Sequence, residues 1–284
     1  MLLHSGPRPF QTVTDPIPSH AGALRPHPEA VHPYAAAPGA KTATEGPEVP
    51  GASTLKLLGG FRLVLDGVPV TVSPRAQRLL TVLVCLGRHA PRSTVANTLW
   101  PDNLSTRAHA NLRTILYRLQ RVCPGLVLST TRDLWLSPEL HVDVEHSRAM
   151  AIELLNTRPG AEPALLERVH WTDFAEDMLP EWDTSWLADH QFCYQRLRLD
   201  ALERLSDLLV QEQMYGAAVQ AALMVVQTDP LRDTAHEALI RAYVAQGNRN
   251  DAISHYRAYR RQLRDELGLE PAMAVGQMLW SDAA

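Results

Sequence analysis

The C-terminal part of the chain contains an internal repeat with an offset of 34 residues. The positions Leu205, Leu209, Gln213, Ala218 and Val219 recur as Leu239, Tyr243, Gly247, Ala252 and Ile253. This period is typical of paired helices that stack side by side, with alanine where two helices pack closely. Such a pair cannot bury its apolar face alone, so a third pair is expected from helices between Glu145 and Gln211. The repeat therefore predicts an all-α domain with a concave binding surface.

A basic stretch precedes this repeat. No acidic residue occurs between Asp102 and Asp133, whereas five arginines do: Arg107, Arg113, Arg118, Arg121 and Arg132. Residues 105–122 predict one amphipathic helix, with Ser105 or Thr106 as its N-cap and a Pro-Gly pair as its stop. Its apolar stripe is formed by Ala108, Leu112, Ile115, Leu116, Leu119 and Val122.

The opposite face of this helix combines long cationic side chains with small ones. It carries Arg107, Ala110, Arg113, Thr114, Tyr117 and Arg121, with Asn111 and Arg118 at its flanks. Arginine can contact guanine edges or phosphates, and small side chains allow a close approach to DNA. The pattern favours a helix that reads the major groove, and an ordinary solvated basic face is the alternative.

The order of elements around this helix indicates its fold. Residues 55–58, 61–65 and 68–72 are short apolar runs that predict a small antiparallel sheet with a hairpin turn at Asp66-Gly67. Two helices follow, at residues 75–86 with Ser73 as N-cap and at residues 94–100. After the basic helix, residues 126–128 and 134–136 predict a second hairpin. This order is typical of a winged helix-turn-helix, whose third helix enters the major groove and whose hairpin, the wing, touches adjacent backbone.

The composition divides the chain into a basic part and an acidic part. The chain has 284 residues, of which 45% are hydrophobic, and this predicts two domains. Residues 55–144 contain eleven basic and five acidic residues, whereas residues 145–284 contain thirteen basic and 22 acidic ones. A basic block of this kind suits nucleic acid, and the acidic block suggests a different partner.

Several classes of protein are disfavoured. Three cysteines without a CxxC pair argue against a disulfide framework or a zinc site. The N-terminus is a poor signal peptide and no apolar run is long enough to span a membrane, so we expect a cytoplasmic, nucleoid-associated protein without a membrane partner. No nucleophile with a base, phosphate loop or metal-ligand spacing occurs, so neither an enzyme nor a cofactor is expected.

The predicted fold class is mainly α, with an N-terminal α+β winged helix-turn-helix followed by an all-α domain similar to tetratricopeptide repeats. Residues 1–53 hold ten of the 21 prolines and predict a disordered tail, which is either an interaction arm or an over-long start. The winged helix is assigned to residues 54–143 and the helical domain to residues 144–284. The acidic and aromatic loop at residues 171–183 is expected to be a solvated connector, in preference to a glycosidase pair or metal site.

Five segments resemble the Streptomyces antibiotic regulatory protein family. They are residues 73–80 (SPRAQRLL), 99–102 (LWPD), 113–119 (RTILYRL), 183–187 (DTSWL) and 264–271 (RDELGLEP). Members of this family join an OmpR/PhoB-type winged helix to a bacterial transcriptional activation domain, and the resemblance covers about residues 55 to 280. It implies an activator, often of an antibiotic gene cluster, that binds direct repeats near the −35 region of a promoter. It also implies head-to-tail placement of two molecules on DNA and recruitment of RNA polymerase through the sigma factor and alpha subunit.

The resemblance maps the reading helix onto residues 106–122 and the wing onto residues 126–136. We expect Arg113, Thr114, Tyr117 and Arg121 to read or abut bases, and Arg107, Arg118 and Arg132 to hold phosphates. Arg75 and Arg78 are expected to clamp flanking backbone. The wing turn departs from the family pattern because residues 130–133 contain no glycine. The alternative function is an adaptor whose helical repeats bind a protein and whose winged helix is also a protein contact.

Overall fold

The computed structural model describes residues 53–157 and 162–272 of the chain. The predicted proline-rich tail and the last twelve residues of the sequence therefore lie outside the described part, except for Ser53. Within the described residues the secondary structure is mainly helical, and the strands are confined to residues 54–142.

The first sheet contains the hairpin that the sequence predicts. Its strands are β1 (Thr54–Lys56), β2 (Arg62–Leu65) and β3 (Val68–Pro69), paired antiparallel. Asp66 and Gly67 join β2 to β3 with φ angles of 50° and 77°, as a type I′ turn requires, which confirms the Asp-Gly hairpin. A further strand, β7 (His141–Val142), pairs with β1 in parallel and was not predicted.

Three helices follow this hairpin, in the predicted order. They are α1 (Pro74–Cys85), α2 (Arg92–Leu99) and α3 (Ser105–Val122). Ser73 caps α1 as predicted, since its hydroxyl accepts a hydrogen bond from the amide of Ala76 at 3.4 Å. The N-cap predicted for α3 is wrong, because Leu104 occupies that position and provides no side-chain hydrogen bond. The apolar face of α3 is buried at Ala108, Leu112, Ile115 and Leu119, whereas Val122 at its end is 57% exposed.

The second sheet contains the hairpin that follows α3. Its strands are β5 (Val127–Ser129) and β6 (Asp133–Leu136), and β4 (His89–Pro91) pairs with the outer edge of β6. The sequence predicts the β5–β6 hairpin but not β4. Three residues between two helices, one of them proline, carry no alternating pattern, so their strand geometry arises from pairing with β6.

The rest of the described chain is helical. It forms α4 (Asp143–Asn156), α5 (Glu162–Leu166), a 3-10 turn (Trp171–Phe174), α6 (Ser185–Gln211), α7 (Tyr215–Thr228), α8 (Asp233–Ala245) and α9 (Arg249–Leu267). The predicted repeat corresponds to the pairs α6/α7 and α8/α9. Gln213 and Gly247, which are equivalent in the repeat, both adopt a positive φ between paired helices, at 60° and 84°. Ala218 and Ala252 are both fully buried, as close helix packing requires.

The prediction that the connector at residues 171–183 is solvated is only partly right, because three of its residues belong to the core. Phe174, Met178 and Leu179 are buried, and the amide of Leu179 donates to the carbonyl of Leu57 at 2.8 Å. The amide of Gly59 donates to the carbonyl of Asp177, also at 2.8 Å. The segment therefore runs antiparallel to the residues that follow β1, with its apolar side chains inward and most of its carboxylates outward.

Two apolar clusters lie within the described residues. The first joins the sheets and α1–α3 to Val144, Leu179, Leu187 and Tyr194, and the second joins α4 and α6–α9. Helix α6 therefore contributes to both clusters.

The Asp143 carboxylate, at the start of α4, accepts hydrogen bonds from the amides of Leu57 and Leu58 at 2.8 and 3.0 Å, and burial raises the pKa of this carboxyl group. No described helix is both long and apolar enough to cross a membrane.

Candidate nucleic-acid interface

The side chains predicted to contact DNA all lie on the surface. Arg107, Arg113, Thr114, Tyr117, Arg118 and Arg121 are exposed on α3, Arg132 is exposed in the hairpin turn, and Arg75 and Arg78 are exposed on α1. Tyr117 is 66% exposed. None of these seven arginines has an ion-pair partner among residues 53–157 and 162–272. Their charges are therefore available to an external anion.

The back of α3 explains why this face is presented outward. Ala108 and Leu112 are fully inaccessible to solvent, and Ile115 and Leu119 are 6% and 3% exposed. They pack into the first cluster with residues from α1 and α2, such as Leu83 and Val95. Because residues on a helix advance by about 100° each, this anchored stripe directs Ala110, Tyr117 and Arg121 away from the core.

A groove of about 1080 Å³ separates the first half of α3 from the hairpin. It is lined by Pro91, Arg92, Ser93, His109, Arg113, Ser129, Thr130, Thr131, Arg132 and Asp133. The structure therefore brings together two predicted residues, Arg113 and Arg132, which are distant in the sequence. Arg92, Ser93 and His109 were not predicted as site residues. The only available signal was the Pro-Arg-Ser start of α2, and nothing in the sequence placed it beside the hairpin.

The hairpin turn is held without glycine. The hydroxyl of Thr130 accepts hydrogen bonds from the amides of Arg132 and Asp133 at 3.2 and 3.1 Å, and the amide of Thr130 donates to the carbonyl of Asp133 at 3.0 Å. A threonine hydroxyl that bonds nearby amides stabilises a tight turn in the way that serine and aspartate do. The turn therefore needs no residue with positive φ, and none of residues 130–133 adopts one.

Arg92 attaches this turn to the start of α2. Its amide donates to the carbonyl of Arg132 at 2.8 Å, and its guanidinium Nη1 donates to the carbonyl of Thr130 at 3.1 Å. Beside it, His89 stacks on Trp135 with ring centroids 4.9 Å apart. The hairpin is thus fixed at its tip and along its β4 edge.

A second, smaller groove lies between the end of α3 and β5. It has a volume of about 380 Å³ and is lined by Leu116, Tyr117, Leu119, Gln120, Val127, Leu128 and Ser129. Ser129 lines both grooves, so the two are adjacent along the hairpin. Of the other predicted residues, Arg107, Thr114, Arg118 and Arg121 on α3 and Arg75 and Arg78 on α1 line neither groove.

The described part of the chain bears on two kinds of chemical site, a metal cluster and a reactive thiol. No cluster of three or more His, Cys, Asp or Glu residues suited to a metal ion occurs among the described residues. Burial raises the pKa of the Cys85 thiol to about 11, which disfavours the reactive thiolate.

Comparison with known proteins identifies the C-terminal domain. Residues 169–278 match the family model for the bacterial transcriptional activator domain. The chain is 28% identical over 244 residues to regulatory protein AfsR of Streptomyces coelicolor, and the match covers 81% of this chain and 24% of AfsR. It is 26% identical over 227 residues to AfsR of Streptomyces griseus, with 72% of this chain and 22% of that protein covered. The chain thus spans less than a quarter of the length of either AfsR protein.

Two mycobacterial proteins are also similar. The chain is 22% identical over 244 residues to transcriptional regulatory protein MoaR1 of Mycobacterium tuberculosis, covering 79% of this chain and 77% of MoaR1. Among solved structures, EmbR of Mycobacterium tuberculosis, in complex with a low-affinity phosphopeptide, superposes with a TM-score of 0.56 at 19% identity. That superposition covers 80% of this chain and 63% of the EmbR chain, and it shows similarity of fold.

The helical domain and these relatives define the class of bacterial transcriptional regulators that carry a transcriptional activator domain. Within that class, the activator-domain match and the two AfsR relatives support a protein of the Streptomyces antibiotic regulatory protein family, which its sequence motifs resemble.

Proposed function

We propose that the chain is a sequence-specific, DNA-binding transcriptional activator. Residues 54–143 would act as a winged helix-turn-helix, with α3 as the reading helix and the β5–β6 hairpin as the wing. The observation that carries this proposal is the solvent-facing side of α3, where Arg107, Arg113, Arg118 and Arg121 are exposed and have no ion-pair partner within the described residues. A helix anchored by its back and free of acidic residues on its front suits the major groove.

The proposed contacts divide by position on the helix. Thr114, Tyr117 and Arg121 lie on the outer face and would read or abut base edges. Arg107 and Arg118 lie on the flank away from the hairpin and would hold phosphates, as would Arg132 at the hairpin tip. Arg75 and Arg78, near the start of α1, would contact flanking backbone.

The acidic helical half would serve activation. Its family match to a bacterial transcriptional activator domain supports a role in contacting the transcription machinery. In keeping with the family, we propose that two molecules bind direct repeats head to tail near a promoter and recruit RNA polymerase through its sigma factor and alpha subunit. The target genes would belong to an antibiotic or other secondary-metabolite cluster. This activity would place the protein in the cytoplasm, at the nucleoid.

Capture of genomic DNA tests the proposal most directly. The purified full-length chain is incubated with sheared genomic fragments, the retained fragments are sequenced, and a duplex from the enriched sequence is compared with a scrambled duplex of equal composition. We expect preferential binding of the enriched duplex, with an affinity that falls steeply as salt rises, because phosphate contacts release counterions. Absence of salt-dependent binding to any duplex would overturn the proposal and would favour a protein adaptor.

Activation requires a separate measurement. Transcription by purified RNA polymerase from a promoter that carries the enriched sequence should increase when the chain is added. A matched reaction with Arg121→Ala should lose the increase, because this variant leaves the helical domain unchanged and weakens recognition of the promoter.

A further inference from the structure

Three arginines from three separate elements meet in the groove between α3 and the hairpin. Arg92 comes from the start of α2, Arg113 from α3 and Arg132 from the hairpin turn, and all three line the groove. Among the residues that line the groove, Asp133 is acidic, and its carboxylate lies 3.6 Å from Nε2 of His89. The groove is therefore a concentrated positive site with hydroxyl groups from Ser93, Ser129 and Thr131 on its walls.

Arg113 lies at the edge of the outer face of α3, on the side of the hairpin. The buried stripe runs through Leu112 and Leu119, and the outer face opposite that stripe is centred on Tyr117 and Ala110. Arg113 is rotated from this centre toward the hairpin, on the same flank as His109, and both line the groove. Arg113 therefore shares this groove with Arg132, whereas Arg121 does not line it.

We infer that this groove binds the sugar–phosphate backbone of one DNA strand, and that Arg113 contacts phosphate there, in place of the base contact expected from the sequence. The inference rests on the proposed function. A helix in the major groove and a hairpin at the next minor groove have one backbone strand between them. A groove of about 1080 Å³ with three arginines and several hydroxyls complements that strand in size, charge and hydrogen-bonding groups.

Arg92 has two roles in this site. Its amide and one guanidinium nitrogen bond the carbonyls of Arg132 and Thr130, so that it sets the position of the hairpin tip relative to α2. The guanidinium has five N–H donors, and a single side-chain bond leaves the others for a phosphate oxygen. Arg92 is therefore both a phosphate contact and the positioning residue for Arg132.

Salt-dependent binding to the two duplexes tests the inference. We measure the affinities of full-length Arg92→Ala, Arg113→Ala and Arg132→Ala for the enriched and scrambled duplexes over a range of salt concentrations. Each variant should weaken both duplexes by the same factor. Arg113→Ala and Arg132→Ala should each reduce the slope of log affinity against log salt by about 0.9, the value for one lost phosphate contact, and Arg92→Ala should reduce it by more, because it also displaces Arg132. Arg257→Ala, which removes an exposed arginine of α9, is the matched control for charge and should change neither quantity.

The outcomes separate this inference from the proposed function. If the wild-type chain binds no duplex with salt dependence, both are wrong. If it binds but Arg113→Ala weakens the enriched duplex selectively, Arg113 reads a base and the inference alone is wrong. An unchanged salt slope for Arg92→Ala and Arg113→Ala also overturns it.

The positioning role of Arg92 requires a double-variant measurement. Arg92→Ala combined with Arg132→Ala should cost less than the product of the two single fold-changes, because loss of Arg92 already displaces Arg132. Arg92→Ala combined with Arg257→Ala should be multiplicative. Arg92→Lys retains the charge, so its salt slope should be closer to that of the wild type than the slope of Arg92→Ala is. Lysine lacks the planar guanidinium, so Arg92→Lys should keep only part of the non-additivity with Arg132→Ala. If the fold-changes in affinity for Arg92→Ala and Arg132→Ala multiply in the double variant, Arg92 does not position Arg132.

Discussion

The guanidinium of Arg198 donates two hydrogen bonds to one carboxylate oxygen of Asp177, from Nε at 3.0 Å and from Nη2 at 2.6 Å. Arg198 lies in α6 and is 1% exposed, and its Nη1 donates to the carbonyl of Phe174 at 2.9 Å. The backbone carbonyl of Asp177 in turn accepts the amide of Gly59, next to β1. This pair therefore connects the N-terminal sheet to the long helix of the activator domain.

Removal of the carboxylate should destabilise the whole chain. Asp177→Ala leaves the Arg198 charge buried with one carbonyl partner, and an unpaired buried charge typically costs roughly 3–5 kcal/mol. Because the Asp177 side chain is 41% exposed, water screens the pair and we expect a loss at the lower end of that range. Urea unfolding measures this loss of unfolding free energy. Asp189→Ala, which removes an exposed carboxylate of α6, is the control. Equal unfolding free energies for the two variants would contradict the role of the pair.

The loop that carries Asp177 shows where the sequence was insufficient. Its acidic residues suggested a solvated connector, yet Phe174, Met178 and Leu179 are buried. A loop without periodicity gives no sign of which side faces inward, because its direction is set by the residues after β1 that it meets. Those residues are more than a hundred positions away in the sequence, as the bond between Leu179 and Leu57 shows.

Helices were predictable to within a few residues, whereas added strands were not. The apolar stripe of α3 and the 34-residue repeat are local signals, and the observed helices follow them. The strands β4 and β7 have three and two residues, which is too short for an alternating pattern, and they form only where a partner strand is already placed. The candidate site shows the same limit, because Arg92 joins it only through its bonds to the hairpin.

A fragment that ends at the predicted domain boundary should fold poorly. Residues 53–143 lack Leu179, Leu187 and Tyr194, which all belong to the first apolar cluster. We expect this fragment to lose cooperative thermal unfolding and to aggregate, since the cluster is left open to water. The longer chain of residues 53–272 contains both apolar clusters complete and is the control. A sharp, reversible transition for residues 53–143 would show that the helical half does not support the N-terminal core.

The hydroxyl of Thr130 should be required for hairpin rigidity. Thr130→Val keeps the shape of the side chain but removes the acceptor for the amides of Arg132 and Asp133, at a cost of about 0.5–1.5 kcal/mol. Hydrogen exchange at these two amides should accelerate, and affinity for DNA should fall because Arg132 is no longer held in place. Thr130→Ser retains the hydroxyl and should behave like the wild type. The same exchange rates in both variants would mean that the turn is held by other bonds.

An arginine of the outer α3 face and one of its flank should differ in their effect on specificity. Arg121→Ala should cost roughly 1–3 kcal/mol on the enriched duplex and much less on the scrambled one, as expected for loss of a base contact. Arg107→Ala should weaken both duplexes by a similar factor, because it removes a phosphate contact. Competition binding with the two duplexes measures both ratios. A uniform loss for Arg121→Ala would assign that residue to the backbone instead.

The stability of the repeat domain should fall in mild acid because of His236. This histidine is 2% exposed, its Nε2 lies 2.9 Å from the carbonyl of Pro230, and its Nδ1 lies 2.9 Å from Nε2 of His255. Its ring stacks on Tyr259, and Tyr259 donates a hydrogen bond to Asp233. Burial lowers the pKa of His236 below its ordinary value of 6.5, although the Pro230 carbonyl, Asp233 and Asp229 oppose that shift.

The direction of the pH effect follows from this lowered pKa. The unfolded chain takes up a proton at His236 at a higher pH than the folded chain, so the unfolding free energy is unaffected above pH 6.5 and declines as the pH falls below it. His236→Gln, which can still donate to the Pro230 carbonyl, should make that decline shallower by at most about 1.4 kcal/mol per pH unit. Urea unfolding from about pH 7.5 to pH 5 measures the decline of the unfolding free energy. His146→Gln, which changes an exposed histidine, is the control. If both variants decline as steeply as the wild type, His236 does not control the acid sensitivity of the fold.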